Sequence, residues 1–182
     1  MIPAHHPFPW PKRVALVLVA LAGVLLAPAP LGAVTLGELL DNPKLNAKKF
    51  ASYFGDFGYE FNSAILAPET FLSSQRGDCD DYAVLADYVL SKHGLTTRLV
   101  HVRLTGRVAH AVCYVSESKA YLDYNNRKFF VTLTRSGPDL RTIADKVAES
   151  LSASWTTASE FTYSYETRRK TLTATISRIV GD

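Results

Sequence analysis

The chain has 182 residues, enough for one compact domain with a real core, and its 20 Lys and Arg against 17 Asp and Glu leave a formal charge of only +3. So even a balance argues against a nucleic acid or an anionic membrane surface as partner. Two cysteines, Cys79 and Cys113, are too few for a disulfide-built scaffold, although they suffice for one bridge.

At the N-terminus Lys12 and Arg13 precede an apolar run, Val14 to Ala27, followed by small residues and prolines from Pro28 to Ala33. Positive, apolar and small-residue regions in that order are the grammar of a secretory signal peptide. The run is shorter than the roughly 20 residues that cross a bilayer as a helix. The expectation is therefore a signal peptide over 1–33, cleaved after Ala33, and a single domain over 34–182. That chain would be secreted or periplasmic, with no stable membrane anchor. Removing 1–33 takes away Lys12 and Arg13 and no acid, so the balance becomes 18 minus 17, or +1. No cysteine lies in residues 1–33, which excludes a lipoprotein route to the membrane.

From Leu36 to Phe57 apolar residues recur at helical spacing, broken by Asp41-Asn42-Pro43, which predicts two short helices. Residues 58–76 read as irregular. A helix then runs from about Cys79 to His93 and stops at Gly94, with Ala83, Ala86, Val89 and Leu90 continuing the stripe on which Cys79 lies. Beyond it come short strands, "RLVHVRL", "AHAVCYV", "KAYLDY" and "KFFVTL", set apart by turn residues as in an antiparallel meander. A helix from about Asp139 to Leu151 and two strands around "EFTYSY" and "TLTATISRI" complete the chain, with Leu172, Ala174 and Ile176 predicted to line a buried face. Helices first and strands after make an α+β protein, a cysteine-bearing helix packed on an antiparallel sheet.

The segment "GDCDDYA", residues 77–83, carries the chemistry. Asp78 suits an N-cap and Asp81, three residues on, approximates a capping box, which puts Cys79 at the first helical position. The positive end of the helix dipole there favours thiolate over thiol, and the free N–H groups of the first turn suit an oxyanion. Three aspartates pull the other way, so a cation should offset them: Arg76, an imidazolium, or a divalent ion such as Ca²⁺ on Asp78 and Asp80. The same aspartates also read simply as caps.

A thiolate needs a base, and three histidines lie beyond residue 33: His93, His101 and His110. His93 falls at a helix C-terminus, where it reads as a cap. If Thr105-Gly106-Arg107 is a three-residue hairpin loop, Val102 pairs with His110 and Val100 with Val112. His110 then shares the apolar face, whereas His101 falls opposite with Arg103. Cys113, three residues past His110, points away from that face and reads as a core residue or, alternatively, a partner for Cys79. Asp123, at the end of "YLDY", lies where a neighbouring strand brings it beside His110 to fix its tautomer. Gln75 reads as a loop residue or as an extra oxyanion donor.

Cys79 in "GDCDDYA", His110 leading "HAVCYV" and Asp123 in "YLDY" together resemble the transglutaminase-like superfamily of papain-type folds. The resemblance covers about residues 65–133 and is narrower still to the bacterial transglutaminase-like cysteine proteinases, whose motif reads Gly-Asp-Cys, two acidic residues, aromatic, Ala. It implies a papain/transglutaminase-like fold, a Cys79-His110-Asp123 triad, and, as in some relatives, Ca²⁺ on Asp78 and Asp80 without an obligatory cofactor. Eukaryotic-type transglutaminases carry an aromatic residue directly after the nucleophile, where this chain has Asp80, so crosslinking is not expected. The resulting expectation is a cysteine protease or amidase acting on a protein or peptide. Its rival is a non-catalytic calcium- or partner-binding module that retains the fold.

Overall fold

The structure, a computed structural model, describes residues 32–125 and 133–178. The chain divides into two units, 1–32 and 33–182, and every element below lies in the second. The expected signal segment thus lies outside the described residues, except for its last two positions.

Helices α1 (Leu36–Leu40) and α2 (Ala47–Ser52) are the two short helices anticipated, started by the side chains of Thr35 and Asn46. The next stretch is more ordered than its sequence suggests. It holds β1 (Gly58–Tyr59), α3 (Pro68–Ser74) and β2 (Arg76–Gly77), and the two strands pair in parallel. Pro68 opens α3 with its φ already set for a helix, and Gln75 closes it in the left-handed region at φ 52°. So short a helix persists because Phe71 and Leu72 are buried.

Helix α4 (Cys79–Lys92) is the longest among the described residues, and its C-cap is His93, followed by Gly94 at φ +76°. His93 Nε2 bonds the Leu39 carbonyl at 2.9 Å, tying the end of α4 to α1. A six-stranded antiparallel sheet follows. Its strands are β3 (Thr97–Leu104), β4 (His110–Val115), β5 (Ala120–Leu122), β6 (Leu133–Arg135), β7 (Trp155–Ser164) and β8 (Arg169–Ser177), in the order β6-β5-β4-β3-β7-β8. Helix α5 (Leu140–Ser150) links β6 to β7. Most of the "KFFVTL" strand and its preceding turn, residues 126–132, lies outside the described residues. Val102 pairs with His110 and Val100 with Val112, the register that the three-residue loop requires.

Both faces of this sheet are covered, which corrects the single helix-covered face assumed from strand parity. Val100, Val102, Val112, Tyr114 and Tyr121 pack with Leu140, Ile143 and Val147 of α5, whereas Leu99, Ala111, Cys113, Val115 and Leu122 pack with α4. Cys113 therefore sits on the α4 side, in the same core as Cys79, and both are buried free thiols. Burial holds the Cys113 thiol well above its ordinary pKa. The face predicted for β8 is not buried either: Leu172 is 58% exposed, because β8 is the edge strand and only Ile176 reaches the α5 core. Among the described residues no helix is long and apolar enough to cross a membrane.

Candidate active site

The site is assembled where β2 runs into α4. Gly77 is required there: a Cβ on it would lie 2.6 Å from the Phe71 ring and 2.7 Å from an Asp81 carboxylate oxygen. Only glycine lets α3 and the start of α4 approach so closely. Asp78 and Asp81 form the anticipated capping box, Asp78 Oδ1 accepting from the amides of Asp80 (3.0 Å) and Asp81 (3.3 Å) while Asp81 Oδ2 accepts from the Asp78 amide (2.9 Å). Asp81 also accepts from the Leu66 amide at 2.7 Å and from Asn62 Nδ2 at 3.1 Å, so one buried carboxylate fastens the 62–66 segment to α4. Burial raises its pKa above the usual carboxylate value, and the amides of Leu66 and Asp78 pull it back.

This cap has a consequence for Cys79. The carboxylate and carbonyl of Asp78 together take the amides of Asp80, Asp81 and Tyr82. Among the described residues the N–H of Cys79 is left without a partner, at the positive end of the helix. Cys79 is buried, and its side chain lies close enough to the His110 imidazole to favour the ring's protonated form.

His110 and Asp123 are both buried, and His110 Nε2 donates to Asp123 Oδ1 at 2.9 Å. That leaves Nδ1 for the cysteine side, where the Asn125 side-chain amide also lies 3.5 Å away. The Asn125 backbone amide donates to the same Asp123 oxygen at 2.9 Å, which fixes the carboxylate. Burial works to lower the His110 pKa, but the hydrogen bonds to Asp123 and Cys79 and their negative charges outweigh it and push it up to about 10. Such an imidazole is held protonated while a thiolate stands beside it.

The structure thus brings Cys79, His110 and Asp123 together, with His110 hydrogen-bonded to Asp123 and Cys79 near the ring. Parity was a poor guide to the reason, since it groups His110 with Val112 on the α5 side. His110 reaches Cys79 because it is the first residue of β4, at the end of the sheet where α4 begins. His101, on the other parity, lies against the Phe161 ring with Lys170 nearby; burial and then that ammonium lower its pKa. Gln75 makes no side-chain hydrogen bond among the described residues. Asn125 and Asn62 were missed, and Asn125 had a legible signal, two residues past Asp123 in the turn-forming "YNN".

The cation that offsets the aspartates is also not the one nearest in sequence. Arg76 pairs outward with Glu60 at 2.7 Å, whereas Lys170 of β8 lies 3.6 Å from Asp80 Oδ1 and 3.9 Å from the centre of the Phe161 ring. Among the described residues no group of three or more His, Cys, Asp or Glu side chains is arranged to hold a metal ion. Asp78 spends its oxygens on three amides, including that of Asn62 at 3.1 Å, and Asp80 faces an ammonium, so the pair as arranged does not fit Ca²⁺.

A search of curated proteins finds no match to this chain. Among solved structures it is similar to LapG from Legionella pneumophila, at 20% identity over 67% of this chain and 70% of that chain with a TM-score of 0.47, and to a calcium-bound form of LapG, at the same identity and coverage and 0.46. The family model described as "Transglutaminase-like domain" matches residues 39–131, which include α2, the capped cysteine, His110 and Asp123. With that match over half of its length, the chain belongs to the transglutaminase-like domain family.

Proposed function

We propose that the protein is a thiol hydrolase that cleaves a peptide or amide bond through an acyl-enzyme. The observation that carries this reading is the buried His110–Asp123 pair, hydrogen-bonded at 2.9 Å, next to Cys79 at the first turn of α4. A binding module has no physical need for a thiol, an imidazole and a carboxylate in series, and the same geometry serves nucleophilic catalysis directly.

In this mechanism the Cys79 thiolate attacks the carbonyl carbon, and the carbonyl electron pair moves to oxygen. The unpartnered Cys79 N–H donates to that oxyanion. The His110 imidazolium gives its proton to the leaving amine as the C–N bond breaks, which leaves a thioester and a neutral imidazole. His110 then takes a proton from water, the hydroxide attacks the thioester, and the thiolate is released with the acid product. Asp123 accepts the Nε2–H hydrogen bond and holds the ring in place.

The test is the rate of Cys79 alkylation by iodoacetamide against pH. Wild type should react rapidly well below pH 8, and His110→Ala at least about tenfold more slowly in that range, since the imidazolium that favours the thiolate is gone. Equal, ordinary rates in both proteins would sink the hydrolase reading in favour of a non-catalytic binding module. We place the activity in a secreted or periplasmic setting on the strength of residues 12–33, and N-terminal sequencing of the exported protein should read from Val34. A calcium role at Asp78 and Asp80 carries two structural conditions, that Lys170 leave Asp80 and that Asp78 give up amide contacts.

A further inference from the structure

A cavity of about 310 Å³ is lined by Asp78 and Asp80, the two residues that flank Cys79 in the chain, by Asn62 to Ile65, and by Tyr163, Arg168 and Lys170 of the β7–β8 hairpin. Its size is at the small end of ligand pockets, which run from ~300 to 1,000 Å³. Ile65, Tyr163 and Arg168 also wall a second cavity of about 280 Å³ that continues toward Tyr88 and Tyr165. The two cavities thus meet at Ile65, Tyr163 and Arg168, along the hairpin.

The charges lining the first cavity are unequally engaged. Asp78 is neutralised in effect by three amide donors, and Asp80 lies against Lys170. Arg168 makes no ion pair or hydrogen bond with any described residue, so its guanidinium is the one uncommitted charge among these four side chains. Its backbone adds a second observation. Arg168 sits at φ +53°, immediately before β8, a left-handed hairpin position that glycine fills at no steric cost. Its side chain is exposed at this turn and free to reach into the cavity it lines.

We propose that Arg168 is a specificity-determining residue that binds a carboxylate of the substrate in the cavity that Asp78 and Asp80 also line. This rests on the reading of Cys79 as the nucleophile. A guanidinium presents a fork of N–H donors that matches a carboxylate two-for-two, and Asn62 and Ser63 add polar groups to the same cavity. The carboxylate belongs either to an acidic side chain within a peptide or to the main-chain end of a short one.

Three alkylating probes read the proposal at one fixed pH: the α-amide of N-iodoacetyl-glutamic acid, with only its side-chain carboxylate free; N-iodoacetyl-glutamine, with only its main-chain carboxylate free; and the neutral N-iodoacetyl-glutamine amide. Each forms a bond from the Cys79 sulfur to the iodoacetyl carbon as iodide leaves. In wild type at least one anionic probe should modify Cys79 about five- to tenfold faster than the neutral probe, the scale of one charge-assisted contact. The faster of the two identifies the carboxylate's source. The preference should vanish in Arg168→Gln and Arg168→Gly, persist in part in Arg168→Lys, and shrink with added salt. Arg168→Gly also relieves the left-handed strain, so its stability should not fall and a folding defect cannot mimic the loss. No preference in wild type, or a preference that survives Arg168→Gln, overturns the carboxylate site. The nucleophile reading fails separately, in the neutral probe's rate: if that rate is ordinary and unchanged in His110→Ala, Cys79 is not activated, and the anionic-to-neutral ratio is still measured.

Discussion

Single residues set the electrostatics of this site, and Asp123 is the most telling. It holds its hydrogen bond to His110 where neither side chain meets water, so its charge acts at short range with little screening. Asp123→Asn keeps the shape and removes the charge. In the proposed mechanism kcat/KM falls at high pH when the imidazolium, which must protonate the leaving amine, is lost near pH 10. Removing an anion that favours the protonated ring lowers that limit, so the alkaline limb of the kcat/KM profile should move to lower pH in Asp123→Asn, with a loss of about 10²- to 10⁴-fold in kcat. A pH profile measured on both proteins with the same peptide substrate checks the direction. Asp81 tests structure instead. Asp81→Ala strips acceptors from the amides of Leu66 and Asp78 and from Asn62, and urea unfolding should show a loss of about 2–4 kcal/mol.

At the level of elements, the junction of β2 with α4 governs whether the cysteine is presented at all. Gly77→Ala forces a methyl group into the Phe71 ring and the Asp81 carboxylate, and α3 or the capping box must shift to admit it. Overpacking of this kind costs about 1–3 kcal/mol. We expect a lower urea midpoint, and Cys79 alkylation slowed more than global stability alone explains, because the helix start itself is displaced. The capped cysteine of α4 was plain in "GDCDDYA", since caps are local and written in adjacent residues. Helix α3 was not, because its sequence, "PETFLSS", has Pro68 as its only start signal and is held by burial of Phe71 and Leu72. The exposed face of β8 was misjudged for a related reason: alternation along "TLTATIS" is the same whether a strand is central or at an edge.

For the whole molecule, the protonated imidazole ties stability to pH. His110 has a folded pKa of about 10, above its ordinary 6.5, so its contribution is fully present below about pH 6.5 and lost as pH rises through 10. Urea unfolding free energy in wild type should therefore fall between pH 7 and 10 more steeply than in His110→Gln. A parallel decline in the two proteins would mean that other groups govern the alkaline loss. Half-buried Asp87, whose pKa is raised by desolvation and pulled back by its bond to Thr97 Oγ1, has the same sign in acid: its proton is held more tightly when folded. Neither it nor Asp81, raised in the same way, drives unfolding at low pH.

Local chemistry was readable from the chain alone: the caps, the cysteine at a helix start, the register of β3 on β4, and the residues in line with a transglutaminase-like family. Each depends on neighbours in sequence or on the period of a strand, and these are properties of a short segment. Which cation faces Asp80 was not readable, because Lys170 comes from a strand about ninety residues later and Arg76, close by, turns outward to Glu60. Nor was the face on which Cys113 lies, since period-two alternation separates two faces without saying which helix covers either. The vacant amide of Cys79, the contact of His110 with Cys79 across the end of the sheet, and the position of Arg168 over the cavity all exist only once distant segments are packed. Contact between residues far apart in sequence is set by the sum of burial over the whole fold, which no local pattern encodes.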